Sequence, residues 1–120
     1  MTVREFYDAI GGNYDDAIGR MMSESLVRRF VLKFKADPTF DLLKEAIGTG
    51  DPAAAFPHAH TFKGVSLNLS FAKLSEAAIA LTDALREQTR ASYSAQKAKE
   101  LFAAVEREYS RVIEAIGALE

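Results

Sequence analysis

The stretch 98-AKELFAAVEREYSRVIEAI-116 decides how this chain folds. Ala98, Phe102, Val105, Tyr109, Val112 and Ile116 follow one another in alternating steps of four and three. Such steps return side chains to one face of an α-helix, and their alternation makes the seam of a long helix in a bundle. Ser92 stands where a cap for that helix is expected. Upstream, Leu74, Ala77, Ala78, Leu81 and Leu85 form another apolar stripe, predicting a helix from Ala72 to Gln88. Asp51-Pro52 opens the helix before it, which runs to about Leu69. Asp accepts from free amides at a helix start, and Pro fits the first turn because its missing N–H is not needed there. Asp37-Pro38 repeats that signal for a helix from Pro38 to Ile47, with Phe40, Leu42, Leu43 and Ile47 as apolar contacts and Gly48-Thr49-Gly50 as its end.

The stretch 23-SESLVRRFVLKFKAD-37 puts Leu26, Phe30 and Phe34, flanked by Val27 and Val31, on an i, i+4 stripe. Arg28, Arg29, Lys33 and Lys35 fall largely off it and read as a solvated face. Two short helices come first. Val3 to Ile10 ends at Gly11-Gly12, and Tyr14 to about Met22 is capped by Asn13. Met21 and Met22 are expected to fill gaps in the core. No sustained period-two alternation and no hairpin dipeptide speaks for strands. The fold class expected is therefore all-α, an antiparallel up-down four-helix bundle whose first main helix is broken at Pro38, with two short N-terminal helices in front. A single domain is expected over residues 1–120, residues 1–22 being accessory helices and 23–119 the bundle.

Composition narrows the function classes. The 120 residues are 48% hydrophobic, enough for a real core, and 15 Lys and Arg against 17 Asp and Glu leave a net charge of −2. That balance argues against general nucleic-acid binding. The absence of cysteine excludes disulfides and thiolate metal sites. No apolar run is long enough to span a bilayer, and "MTVREFYDAIGG" lacks a secretory pattern. A cytoplasmic, soluble monomer without nucleic-acid or membrane partners is the expectation. Asp15 and Asp16 are adjacent and diverge on a helix, and the four tyrosines read as core or boundary residues, so nothing suggests an enzyme with its own pocket.

Both histidines lie in 58-HAHTFKGVSLNLS-70. Ala55, Ala59, Phe62, Ser66 and Leu69 share one helical face, which is taken as the core face. Rotation along the helix then puts His60 roughly 140° from the centre of that face, Gly64 roughly 180°, Leu67 roughly 120° and Lys63 roughly 80°. Phe56 lies one turn before His60, on the flank of Lys63. It reads as a boundary core residue or a partner contact. His58 lies on the opposite flank near Val65. Residues two apart on a helix do not face each other, so the His-x-His pair is a poor metal site. Gly64 is costly in a helix interior. Its physical use would be to clear space beside His60, while Lys63 supplies a mobile cation. A neutral, accessible imidazole with a cation nearby suits attack on a phosphoryl group. The same residues also read as an ordinary surface histidine beside a glycine of no consequence, and by themselves they leave both readings open.

The segment 59-AHTFKGVSLNLSF-71 resembles the signature of histidine-containing phosphotransfer (HPt) domains, in which His60, Lys63 and Gly64 match in identity and spacing and Phe62 takes the hydrophobic place. The Gly50-Asp51 turn, the pattern from Leu74 to Arg86 and the order of helices also fit, and "REFYDAIGGNYDDAIGRM" looks like the extra helices of stand-alone bacterial HPt proteins. The resemblance implies a phosphorelay intermediate. His60 would accept a phosphoryl group, through Nε2, from the aspartyl phosphate of a receiver domain and pass it to another receiver aspartate. The chain would be a phosphohistidine carrier rather than a kinase, with no nucleotide-dependent activity and no cofactor of its own. Mg²⁺ is expected on the receiver. Response-regulator receiver domains, and a hybrid histidine kinase, are the partners implied. Lys63 and Gly64 would support the phosphorylated imidazole, with Arg86 at a position where relatives place a basic or polar residue. Leu67, Gly64 and Phe56 would contact the partner. Three departures stand out. Ser70 replaces a frequent glycine, predicting an altered turn, Thr82 replaces an imidazole-directed glutamine, and Pro57 falls inside the helix. The alternatives are a binding module that docks on a receiver without chemistry and a structural bundle whose dimer buries His60.

Overall fold

The computed structural model describes residues 1–86, 88–89 and 91–120. The described residues form seven helices and no strand: α1 (Val3–Ile10), α2 (Tyr14–Met21), α3 (Glu24–Phe34), α4 (Thr39–Gly48), α5 (Pro52–Asn68), α6 (Ala72–Leu85) and α7 (Ala95–Leu119). Helices α3 and α4 are the two halves of the broken first arm. α5 lies between α4 and α6, and α7 closes the ring against α6 and α4. The antiparallel four-helix bundle is the fold, with α1 packed on α7 and α2 on α3. Among the described residues no helix is long and apolar enough to cross a membrane.

Local chemistry starts most helices where the sequence puts a cap. Thr2 and Glu5 form a reciprocal capping box on α1, and Asn13 accepts from the Asp16 amide at the start of α2. Asp51 accepts from the Ala53 amide with Pro52 in the first turn of α5. At α4, Asp37 accepts from the Thr39 amide at 2.8 Å, and the helix begins at Thr39 rather than Pro38. The cap of α7 is Ser94, which accepts from the Lys97 amide, and not Ser92. The Ser92 hydroxyl is instead engaged in the turn with Thr89 and Gln88. Helix α6 stops at Leu85, short of Gln88, because Arg86 takes an extended conformation; residue 87 of the expected extension lies outside the described residues.

A band of aromatic rings holds the arms together. Phe62 of α5 lies 5.9 Å from Phe40, 6.1 Å from Tyr109 and 6.3 Å from Phe34, so one side chain touches α3, α4 and α7. Phe40 and Tyr109 stack face to face at 3.7 Å. The α3 row that enters this core is Val27, Val31 and Phe34. Phe30, expected on the stripe, is 42% exposed, because it stands a quarter-turn off that row. Leu42 likewise points outward, since Phe40, Leu43 and Ile47 already form the buried face of α4. Met22 is no core filler: it is 83% exposed and ends α2 in a left-handed conformation, while Met21 is half-buried.

The first two helices fasten the turn between α5 and α6. Buried Tyr7 donates its hydroxyl to the Leu69 carbonyl at 2.7 Å, and the Asn13 amide donates to the Ser70 carbonyl at 2.9 Å. Gly12 passes so close that a Cβ there would lie 2.7 Å from the Tyr7 ring and 3.1 Å from the Ser70 oxygen. Ser70 itself has φ of 59°, a left-handed conformation that costs a non-glycine residue about 1–2 kcal/mol. Its hydroxyl donates to Asp16 Oδ2 at 2.6 Å, which offsets part of that strain. The turn expected to change with this serine thus keeps a glycine-like backbone, stabilised by α2.

Candidate functional site

The core row of α5 is as its spacing predicts. Ala55, Ala59, Phe62 and Ser66 are buried, and Leu69, just past the helix end, is 7% exposed. Small side chains let α5 sit close to its neighbours, and the Ser66 hydroxyl is satisfied by the Phe62 carbonyl at 2.9 Å. Phe62, seated among three rings, fixes which face of the helix turns inward. That constraint, made on the inside, sets what α5 shows on the outside.

His60 is exposed, Lys63 and Gly64 are half-exposed beside it, and Leu67 is 40% exposed one turn further on. A side chain added at Gly64 would meet nothing within 4 Å, so the glycine is not required by the chain's own packing. Lys63 has no ion-pair partner among the described residues, which leaves its ammonium available. His58 is half-buried on the other flank and does not join His60. No group of three or more His, Asp and Glu side chains is placed to hold a metal ion among the described residues. Pro57 lies on the exposed side of an unbroken α5. Ala53, whose carbonyl loses its helical donor, is exposed to water.

Phe56 and Arg86 are brought together with His60. The Phe56 ring is half-buried and stacks on the imidazole with centroids 6.0 Å apart and planes inclined by 29°. The Arg86 guanidinium lies 5.4 Å from the Phe56 centroid and pairs with Asp83 at 3.5 Å. Arg86 therefore sits one ring away from His60. It leaves the last turn of α6 to do so, which periodicity did not foresee. Thr82 is fully buried and its hydroxyl donates to the Ala78 carbonyl at 2.7 Å, so it does not serve the imidazole.

One neighbour of the site was absent from the sequence reading. Ile79 of α6 is 37% exposed and lines a groove of about 250 Å³ with Leu67, whose wall includes Asp16 and Arg20 of α2. These two form an ion pair at 2.9 Å. The contact to Ser70, then that to Arg20, holds the Asp16 carboxyl below the usual carboxylate range. The signal for Ile79 was available, since it stands off the stripe of Leu74, Ala78, Leu81 and Leu85.

A family model described as the Hpt domain matches residues 31–115, well over half of the 120-residue chain. The match takes in α4, α5 and α6 whole, and with them His60 and its neighbours. No curated protein and no solved structure matches the chain.

Proposed function

Because the chain belongs to the Hpt domain family, whose members serve histidine phosphotransfer in phosphorelays, we propose that His60 is its phosphoacceptor, loaded from the aspartyl phosphate of a receiver domain and unloaded onto another receiver aspartate. The observation that carries this reading is the placement of His60: an exposed imidazole on the outward face of α5, next to an ammonium with no ion-pair partner among the described residues and a glycine with empty space above it.

The chemistry asks little of this chain. A neutral imidazole uses the lone pair of one ring nitrogen, Nε2 in this reading, to attack phosphorus. The N–P bond forms as the acyl P–O bond breaks, the receiver carboxylate leaves, and the proton on the other ring nitrogen stays in place. Negative charge spread over the phosphoryl oxygens needs cations in position, since positioning and electrostatics dominate phosphoryl transfer. Lys63 supplies one from its place a turn along α5. Arg86, across the Phe56 ring, adds a second positive group to the same end of the bundle. Mg²⁺, when present, belongs to the receiver, where it would bind phosphoryl oxygens. Gly64 gives the receiver's loops close access, and Leu67, extended by Ile79, offers an apolar contact that can be desolvated on docking.

Incubation with a phosphorylated receiver and Mg²⁺ is expected to place an acid-labile, base-stable phosphate on this chain. A receiver that binds equally well to the His60→Ala variant, with downstream signalling intact, would instead establish a docking module without chemistry.

A further inference from the structure

We propose that Phe56 is a positioning residue for phosphotransfer, restricting the His60 imidazole by the offset stack on its ring, and that Arg86 acts on the reaction by clamping Phe56 in that pose. The inference rests on the reading of His60 as the phosphoacceptor.

An exposed histidine on a helix normally samples several rotamers, and a nucleophile that does so meets its electrophile in the right geometry only part of the time. The usual remedy is a hydrogen bond to one ring nitrogen, which fixes both tautomer and orientation. This chain lacks that device. His60 makes no hydrogen bond to any described residue, and Thr82 of α6 is buried with its hydroxyl donated to the Ala78 carbonyl of its own helix. What His60 does have is an aromatic neighbour one turn earlier on the same face. Residues four apart on a helix meet side by side, and long side chains lean toward the helix N-terminus, so the imidazole at position 60 falls onto the ring at position 56. The observed stack at 6.0 Å and 29° is that arrangement.

Phe56 is in turn held from both sides. Its inner part packs against the buried core, and the Arg86 guanidinium lies over its ring. Asp83, one turn back on α6, anchors that guanidinium. A cation over an aromatic face is attracted by the ring's quadrupole. Stacking restricts the imidazole without occupying either nitrogen, so both ring edges stay open to solvent and to a partner. A hydrogen-bonded imidazole commits one nitrogen to the protein, whereas a stacked one leaves the attacking nitrogen exposed and the other free to keep or exchange its proton.

The test uses the full chain carrying Phe56→Leu, Phe56→Trp, Phe56→Tyr or Arg86→Ala. Single-turnover transfer is measured against rising concentrations of one phosphorylated receiver, alongside ¹H NMR of the His60 ring protons. Phe56→Leu keeps apolar bulk but loses the ring. The saturating rate is expected to fall about tenfold, with the half-saturating receiver concentration unmoved. The His60 ring resonances should shift as the ring current is lost. Phe56→Trp and Phe56→Tyr should restore both, and Arg86→Ala should move both partway. A raised half-saturating concentration with an unchanged rate would make Phe56 a docking contact and overturn the proposal, as would ring resonances that do not move. If the native chain accepts no phosphoryl group, the phosphoacceptor reading fails. The NMR arm still decides whether Phe56 holds the imidazole.

Discussion

The inward and outward faces of α5 differ in how much of the molecule touches them. Inside, Phe62 is seated among Phe34, Phe40 and Tyr109, and Ala55, Ala59 and Ser66 are covered by neighbouring helices. Outside, Gly64 faces empty space, and among the described residues Lys63 has no ion-pair partner and His60 has Phe56 as its aromatic neighbour. The inner face is over-determined and the outer face is kept bare. The first makes the second useful, since an imidazole on a helix free to rotate would present no fixed geometry to a partner. Cost and benefit are therefore separated along one helix: stability is made on one side, and the opposite side carries residues that stability alone would not select.

The largest effect is expected from the inner face. Phe62→Ala removes the ring that joins three arms and is expected to destabilise the fold by about 3–5 kcal/mol, read by urea or thermal unfolding. If the loss were well under 1 kcal/mol, the inner face would not be what orients α5. A milder break lies at the turn that ends the helix. Tyr7→Phe leaves the buried Leu69 carbonyl without its donor and should cost about 1–3 kcal/mol.

The same tyrosine has a pH signature. Burial, and then the charge of Asp16, push the Tyr7 hydroxyl well above its ordinary range. A group whose pKa is raised on folding stabilises fully below its unfolded value, about 10 for tyrosine, and loses that contribution as pH rises beyond it. Stability should thus fall on the alkaline side, and Tyr7→Phe should flatten part of that fall. Tyr109, raised by burial and by Asp41 and Asp37, and Tyr93, raised by burial, should keep the rest.

The smallest effect on stability should come from the outer face and should have the opposite sign. Gly64→Ala is expected to stabilise the helix by up to about 1 kcal/mol, because no neighbour stands in the way. Gly64→Leu should leave folding intact and slow acceptance of the phosphoryl group from a receiver. A bulky residue that left transfer unchanged would remove the functional reason for the glycine.

The same contrast explains what was legible in the sequence. The buried rows of α5, α6 and α7 follow from local periodicity, and rotating outward from them places His60, Gly64 and Leu67 on the exposed side. Phe30, Leu42 and Met22 were misplaced because each sits one or two positions from a genuine core row, where hydrophobicity alone does not say which register packs. Contacts between segments distant in sequence could not be read at all. Ser70 to Asp16 spans 54 positions and Tyr7 to Leu69 spans 62. Both depend on how α1 and α2 are laid across the bundle. The pairing of Arg86 with Phe56 required the early end of α6, which no cap residue announces.

The most direct measurement follows the phosphoryl group itself. A labelled receiver aspartyl phosphate is mixed with the native chain, with His60→Gln and with His58→Gln in the presence of Mg²⁺, and the label on each chain is quantified. Label is expected on the native chain and on His58→Gln, with none on a folded His60→Gln. Label retained by His60→Gln, or lost only with His58→Gln, would contradict the assignment of the outward-facing imidazole as the acceptor.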